Sequence, residues 1–150
     1  GELLAAPIQI AAMINTIAAG GIWREPLFLE CTLDETTGEP LTALAHRGAR
    51  RVLSAQTARA LRELLASVVT EGTGHEAAPT EGTAAGKTGT AQTGQFAAGK
   101  ELKNYWFAGF YPARNPRYTI VVLQDGQTAL SRTSAAIFAR VCDALDAAGE

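Results

Sequence analysis

A short run of glycine, threonine and lysine contains the side chains best suited to chemistry in this sequence. The run is Gly86-Lys87-Thr88-Gly89-Thr90. An ammonium group beside hydroxyls and free backbone N–H groups is a good receptor for a carboxylate or an oxyanion. The glycines on either side of the lysine–threonine pair would let another backbone approach closely. Small and polar residues alternate here, which predicts a strand over 83–92.

Two known motifs compete for this run. The phosphate-binding loop, G-x-x-x-x-G-K-[ST], needs four residues between its glycines, whereas only three separate Gly82 from Gly86. That loop also opens a helix, and residues 90–99 show no helical periodicity and contain two more glycines. The K-T-G element of penicillin-binding proteins and serine β-lactamases fits better, because the sequence continues it as Thr90-Ala91-Gln92. A third interpretation is an ordinary strand whose lysine faces solvent.

Length and composition limit the class of protein. The chain has 150 residues, enough for one domain or a large part of one. Its 13 basic and 15 acidic residues give a net charge of −2, which argues against general nucleic-acid binding. The two cysteines and two histidines stand apart without metal-ligand spacing, so we expect no metal site. No apolar run reaches membrane-spanning length.

The spacing of apolar residues predicts the helices and the first hairpin. Spacings of three and four predict helices over 7–19, 55–69 and 133–147. Pro7 suits the first turn of the first helix, and Ser54 suits the N-cap of the second. A period of two predicts a strand over 26–33 that returns over 41–45 as a hairpin.

The C-terminal half adds a meander of three strands. They are predicted over 83–92, 104–111 and 118–123, joined by a hairpin loop at 93–103 and a turn at 112–116. The aromatic second strand is expected to be core, including Trp106. The third is nearly all apolar, is expected to be central or covered on both faces, and ends at Asp125-Gly126. Because strands and helices are segregated along the chain, we expect an α+β fold with helices packed on an antiparallel sheet.

Four blocks of the sequence resemble, in order, the transpeptidase domain of penicillin-binding proteins. The similarity is greatest to the class B, or monofunctional, enzymes. The blocks are Pro7 to Ala11 with Ala19-Gly20-Gly21 and Pro26, Val68 to Gly74, Gly86 to Gln92, and Trp106 to Pro116 with Tyr118 to Leu123. This resemblance implies that the α+β unit is part of a β-lactamase/transpeptidase-like fold.

The resemblance also implies roles for the residues of the central strand. Lys87, Thr88, Gly89 and Thr90 would belong to the catalytic site. The ammonium of Lys87 would enter the cleft, the hydroxyls of Thr88 and Thr90 would bind a substrate or antibiotic carboxylate, and the backbone N–H of Thr90 would be one oxyanion donor. Gln92 would border the cleft and contact substrate, although a plain hairpin connection is an equal alternative. The edge of the strand would pair with the stem peptide.

The sequence departs from the family at its nucleophile. None of the four serines is followed by lysine three places later or by asparagine two places later, so S-x-x-K and S-x-N are both missing. We therefore expect the chain, residues 1–150, to be the C-terminal portion of a transpeptidase domain that is catalytically incomplete by itself. In the intact enzyme a serine supplied upstream would take the acyl group of a D-Ala-D-Ala peptide, and penicillins would acylate the same serine.

The resemblance sets the expected partners and location. Peptidoglycan stem peptides and β-lactams would bind the intact protein, with no nucleic acid, metal or organic cofactor. The parent protein would be extracytoplasmic, in the cell envelope, and anchored in the membrane only through a missing N-terminal segment, while this chain would be soluble. The bare edge of strand 118–123 would permit a dimer. The alternatives are a non-catalytic binding or scaffold module and a serine β-lactamase-like hydrolase.

Overall fold

The computed structural model describes residues 4–29, 31–43 and 48–149. Within them the helices are α1 (Pro7–Ala18), α2 (Ala55–Thr70) and α3 (Ser134–Ala147), and a 3₁₀ turn, His75–Ala77, follows α2. The strands are β1 (Ile22–Arg24), β2 (Cys31–Leu33), β3 (Pro40–Ala43), β4 (Ala49–Arg51), β5 (Ala85–Ala97), β6 (Lys100–Tyr111) and β7 (Tyr118–Gln127). All strand pairs are antiparallel, and helices pack on the main sheet, so the predicted α+β fold is confirmed.

The main sheet is the meander β5-β6-β7, with β6 in the middle. In the part of the chain that the structure describes, β7 pairs with β6 alone and so lies at the sheet edge. Ile120 and Val122 of β7 pack beneath α3, whereas Val121 packs on the α1 side. The strand is therefore covered on both faces, which is the second of its two predicted arrangements, and it is not central.

Two buried clusters hold the helices on opposite faces of the sheet. The cluster under α3 contains Phe107, Phe138 and Cys142, each fully buried. The rings of Phe107 and Phe138 lie 4.7 Å apart between centroids and are tilted by 56°, a favourable aromatic geometry. The cluster under α1 and α2 contains Ile14, Ile17, Ala85, Ala108 and Phe110. Because side chains alternate along a strand, the aromatic strand β6 supplies both clusters, as its composition predicted.

The helix starts follow local sequence signals. Pro7 opens α1, as predicted. Ser54 caps α2 by accepting the backbone N–H of Thr57 at 3.0 Å, also as predicted. Thr133 caps α3 in the same way, accepting the N–H of Ala136 at 3.1 Å. These bonds satisfy backbone donors that the first turn of a helix leaves without partners.

A small sheet of β1 and β4 was not predicted. Strands of three residues are too short to show a period of two. Side-chain contacts support it instead: Arg51 Nη1 donates to the carbonyl oxygens of Gly20 at 2.8 Å and Leu53 at 3.1 Å. The guanidinium of Arg50 lies 5.3 Å from the centre of the Trp23 ring. The small sheet thereby fastens the end of α1 to the start of α2.

The predicted strand over 26–33 is wrong for most of its length. Only β2 is a strand; it pairs with β3 to give the predicted hairpin, with a register shift after Thr32. Residues 26–29 form no strand, and Leu27 and Leu29 are 39% and 50% exposed. Their alternation has no matching core face in this chain. Residue 30 and the predicted return residues 44 and 45 lie outside the described residues.

The predicted hairpin loop at 93–103 is also wrong, because both strands continue through it. β5 runs to Ala97 and β6 starts at Lys100, so the turn is only Ala98 and Gly99, both with positive φ. Gly94, which reads as a loop residue, lies where the register shifts and the strand bulges. β7 likewise continues past Asp125-Gly126 to Gln127.

The loop that leads into β5 is tied to α3 by two carboxylates. Asp143 accepts the backbone N–H of Thr80 at 2.7 Å and its hydroxyl at 3.2 Å. The hydroxyl of Tyr111 donates to Asp146 at 2.6 Å and lies 3.3 Å from the carbonyl oxygen of Glu81. The hydrogen bond to Asp146, with a smaller contribution from burial, raises the pKa of Tyr111 from 10.0 to about 12. These bonds fix where β5 begins.

We predict that replacing Phe107 with alanine destabilises the chain by about 3–5 kcal/mol, because a fully buried aromatic leaves a cavity between the sheet and α3. Denaturant unfolding measures the change. Phe96→Ala is the matched control: its ring is 68% exposed, and we expect a change within about 0.5 kcal/mol. Equal effects of the two substitutions would contradict the proposed core.

The chain has three tyrosines. We predict that its tyrosinate absorbance includes a late titration phase near pH 12, and that Tyr111→Phe removes this phase. The folded chain favours the neutral phenol, so its stabilisation is complete below about pH 10 and is lost as the pH rises toward 12. Tyrosinate absorbance follows the titration, and Tyr118→Phe, as control, should keep the late phase. A late phase that survives Tyr111→Phe would show that Asp146 does not hold this hydroxyl.

Candidate active site

Lys87 lies on β5 with its side chain exposed. Its ammonium nitrogen, Nζ, donates to the hydroxyl oxygen of Thr88 at 3.1 Å and to the carbonyl oxygen of Thr88 at 3.3 Å. A cation is therefore held against a hydroxyl while its third N–H stays open to solvent. This is the arrangement of groups that the sequence predicts for binding an anion.

Packing excludes a side chain at the first of the two glycines that flank Lys87 and Thr88, but not at the second. A Cβ at Gly86 would lie 2.5 Å from Cε1 of Phe107 and 2.8 Å from the carbonyl oxygen of Ala108, so no side chain fits there. A Cβ at Gly89 would lie 3.4 Å from the Cβ of Trp106, which is an ordinary contact. At Gly86 the close neighbour is therefore an aromatic ring of the next strand.

A cleft of about 200 Å³ lies against Thr88, Gly89 and Thr90, whereas Lys87 is not among the residues that line it. Its other walls come from β6, from the turn after α2 (residues 71–77, which include the 3₁₀ turn) and from the start of α3. The lining residues besides those of β5 are Thr73, Glu76, Tyr105, Trp106, Leu130, Thr133, Ser134 and Ala135. Trp106, expected to be core, is half-buried and lines this cleft.

Thr73 is a site residue that sequence reasoning missed. Its hydroxyl oxygen lies 3.4 Å from that of Thr88. It belongs to the block Val68 to Gly74, which we read from the sequence only as the end of a helix. The available signal was a threonine between two glycines, a pattern that places a hydroxyl on a tightly held loop.

Glu76 joins the cleft to the start of α3. Its carboxylate accepts a hydrogen bond from the hydroxyl of Thr133, the N-cap of that helix. An acidic group at a helix N-terminus interacts favourably with the helix dipole. Ser134, the first residue of α3, donates to the carbonyl oxygen of Tyr105 at 3.0 Å. These contacts hold the wall of the cleft opposite β5.

Gln92 lies farther along β5 and does not line the cleft. Its amide donates to the carboxylate of Glu101 at 2.8 Å, across the β5–β6 hairpin. It lies five positions beyond Lys87 along the strand, which is about 16 Å at the usual rise. The geometry favours a role for Gln92 in the hairpin.

The outer edge of β5 is open. In the described ranges, β5 pairs with β6 and with no other strand. Backbone N–H and C=O groups on such an edge can pair with an added strand. Lys87 and its threonines therefore lie along an edge where an extended peptide could bind.

Three of the described serines and the buried cysteine have structural roles. Ser54 caps α2, Ser67 bonds back to its own helix at 3.2 Å, and Ser134 is bonded to β6. Burial, together with nearby carboxylates, raises the pKa of the Cys142 thiol to about 12, so it stays protonated at neutral pH. The site holds a receptor for an anion but none of these groups supplies a nucleophile to it.

The described residues show neither a metal-binding cluster nor a membrane-spanning helix. They contain no group of three His, Cys, Asp or Glu side chains that could hold a metal ion. Nor does any helix among them have the length and apolar character needed to cross a membrane.

Comparison with known proteins identifies the family. The model of the penicillin binding protein transpeptidase domain matches residues 1–143. Penicillin-binding protein PbpB of Mycolicibacterium smegmatis is 38% identical over 128 residues, covering 79% of this chain and 19% of PbpB. Penicillin-binding protein 1F of Bacillus subtilis is 38% identical over 107 residues, covering 71% of this chain and 14% of that protein. The chain therefore spans a fifth or less of the length of these relatives.

Solved structures show the same fold. Penicillin-binding protein A from M. tuberculosis, as an imipenem acyl-enzyme complex, matches with a TM-score of 0.79 and 26% identity, covering 100% of this chain and 32% of that chain. The D,D-transpeptidase domain of a peptidoglycan glycosyltransferase from Eggerthella lenta matches with a TM-score of 0.76 and 28% identity, covering 97% and 33%. The predicted β-lactamase/transpeptidase-like fold is confirmed, and the chain belongs to the penicillin-binding protein transpeptidase domain family.

Proposed function

We propose that this chain forms one wall of the active site of a penicillin-binding peptidoglycan D,D-transpeptidase. The observation that carries this proposal is the exposed ammonium of Lys87 bonded to the hydroxyl of Thr88 on the open edge of β5. Lys87, Thr88, Gly89 and Thr90 form the catalytic strand, and Thr88 and Thr90 bind the carboxylate of the substrate or antibiotic. The family membership supports this assignment.

The proposed reaction is acyl transfer through a serine supplied by the upstream part of the domain. The serine oxygen attacks the carbonyl carbon between the two D-Ala residues, and the terminal D-Ala leaves with a proton. An amine of a neighbouring stem then attacks the ester, forms the cross-link and frees the serine. A β-lactam ring would be opened by the same attack.

Each residue of β5 has a proposed part in that reaction. The charge of Lys87 favours binding of a carboxylate. At contact distance near a protein surface, where solvent partly screens the charges, this attraction is on the order of a few kcal/mol. Thr88 and Thr90 donate hydroxyl hydrogen bonds to it. The backbone N–H of Thr90 is one oxyanion donor, the other coming from the upstream serine. The open edge of β5 pairs with the stem peptide as an added strand.

We also propose that the chain is the C-terminal portion of a longer transpeptidase domain. It contains neither S-x-x-K nor S-x-N, and it spans about a third of the solved chains that it matches. An apolar groove of about 800 Å³ between α1 and the β1–β4 sheet includes Met13, 52% exposed, and Phe28, 83% exposed. Apolar surface of this extent is expected to be covered. The upstream part of the domain is the proposed cover.

The proposed location of the parent protein is the cell envelope, outside the cytoplasm, with a membrane anchor in an upstream segment. Peptidoglycan stem peptides and β-lactams are its proposed ligands. Relatives support the ligands and the association with the cell wall: one from Neisseria flavescens is named a probable peptidoglycan D,D-transpeptidase, and penicillin-binding protein A was solved as a penicillin G acyl-enzyme complex. A non-catalytic module that kept the fold is the second candidate, and the upstream sequence separates the two: S-x-x-K and S-x-N there support the enzyme, and their absence supports the module.

Intact mass after incubation with a penicillin tests the proposed function. The protein extended upstream through a complete domain should gain one penicillin, and the present chain should gain none. We predict that Lys87→Ala slows acylation of the extended protein about 100-fold, because the anion loses its cation and the hydroxyl of Thr88 loses its partner. Lys100→Ala, at the hairpin turn, is the control and should react at the unchanged rate.

Three other results would be decisive. If Lys87→Ala is acylated at the unchanged rate, Lys87 is not part of the site. An adduct on the present chain would reveal a nucleophile within it. No adduct on the extended protein would favour the non-catalytic module.

We further propose that the open edge of β7 makes this chain self-associate, because an unpaired apolar edge can pair with a second copy. Sedimentation velocity should show a dimer whose fraction increases with protein concentration. The extended protein, in which an upstream strand is proposed to cover this edge, should remain monomeric. A monomer at all concentrations of the present chain would refute the dimer.

A further inference from the structure

The turn after α2 brings a threonine hydroxyl to the proposed active site. Thr73 stands between Gly72 and Gly74, and neither glycine has room for a side chain. A Cβ at Gly72 would lie 2.9 Å from the Cα and the carbonyl oxygen of Val68, and one at Gly74 would lie 2.9 Å from Cγ1 of Val68. The turn is therefore pressed against the end of its own helix.

The same turn is fixed from the other side by the sheet. A Cβ at Gly74 would also lie 3.3 Å from the ring of Phe107, the residue that β6 places opposite Thr88. The backbone N–H of Gly74 donates to the carbonyl oxygen of Val68 at 3.0 Å. Close contacts on both sides hold the backbone of Thr73 near β5. The hydroxyl contact between Thr73 and Thr88 is thus built into the packing of the turn.

Either hydroxyl can donate in this contact, and donation from Thr73 to Thr88 is the direction that leaves the hydroxyl of Thr88 free to donate to a ligand. The hydroxyl oxygen of Thr88 has two lone pairs and one hydrogen. Lys87 donates to one lone pair at 3.1 Å. If Thr73 donates to the other across 3.4 Å, both lone pairs are occupied and the hydrogen of Thr88 is left to donate elsewhere. Donation into a hydroxyl also strengthens the hydrogen bond that the hydroxyl itself makes.

We infer that Thr73 is a positioning residue for anion binding: its hydroxyl turns the O–H of Thr88 outward, toward the carboxylate of the substrate or antibiotic. The inference deepens the proposed function and rests on it. Thr73 acts through Thr88 and does not touch the reacting atoms. Without the hydroxyl of Thr73, the O–H of Thr88 can rotate away from the carboxylate, so binding weakens before the chemical step.

The test is a double-mutant cycle in the extended protein, read as the second-order rate of acylation by benzylpenicillin. Thr73→Val keeps the shape of the side chain and removes its hydroxyl. Because 3.4 Å is long for a hydroxyl pair, we expect a loss of about three- to tenfold, from a weak neutral hydrogen bond. Thr73→Ser should restore the rate. Thr70→Val, an exposed threonine in the last turn of α2 whose hydroxyl bonds back to its own helix, is the matched control and should leave the rate unchanged.

A role acting through Thr88 makes a further prediction that general loosening of the turn would not. In a Thr88→Val background, Thr73→Val should cost nothing more, because the hydroxyl that it positions is already absent. The loss should also appear in the concentration dependence of acylation, as weaker binding with an unchanged limiting rate. If valine at position 73 unfolds the protein, Thr73→Ala replaces it in the cycle.

Several results would overturn the inference. An unchanged rate in Thr73→Val would do so while leaving the proposed function intact, as would equal losses in the presence and absence of the Thr88 hydroxyl. Loss of rate in Thr73→Ser equal to that in Thr73→Val would assign the effect to packing. If the unsubstituted extended protein forms no adduct, the proposed function fails, and this inference fails with it.

Discussion

The packing of one aromatic ring beneath β5 is the constraint on which the site depends. Phe107 is fully buried, and its ring contacts the positions where Gly86 and Gly74 lack a side chain. On its other side it packs against Phe138 of α3. A single ring therefore sets the distance from the lysine strand to the turn after α2 and to the last helix. The hydroxyl contact between Thr73 and Thr88 exists because both elements close on it.

The candidate site lies on the surface that this packing supports. Lys87 and Thr88 are adjacent on an open strand edge, so a ligand meets a cation, a hydroxyl and free backbone groups together. The buried side of β5 carries no charge, since it consists of small residues against an aromatic strand. The buried face of β5 holds the geometry, while the ammonium of Lys87 stays solvated and available. This agrees with the general preference for binding groups on well-supported elements.

Much of the fold could be predicted from the sequence because its signals are local. Pro7, Ser54 and the three-and-four spacing define the helices, and the K-T-G run with the aromatic strand after it defines two strands of the main sheet. Two of the failures share a cause: Gly94 and Gly126 read as loop residues but lie within strands, where bulges accommodate them. A bulge depends on the partner strand, which a single strand's pattern does not contain.

The site was predictable in part for the same reason. Lys87, Thr88 and Thr90 stand in one motif, whereas Thr73 and Glu76 reach the cleft only through tertiary packing. The β1–β4 sheet could not be predicted because strands of three residues are too short to show a period of two. The exposed apolar groove and the alternating residues 26–29 have no matching core face among the described residues, so their apolar pattern misled the strand prediction.

The most direct test of the central claim is a crystal structure of the extended protein after reaction with benzylpenicillin. The account predicts an ester to a serine upstream of this chain, with the antibiotic's carboxylate within hydrogen-bonding distance of the hydroxyls of Thr88 and Thr90 and close to the ammonium of Lys87. A ligand that is attached elsewhere, or whose carboxylate points away from β5, would contradict the assignment of this strand as the anion-binding wall of the site.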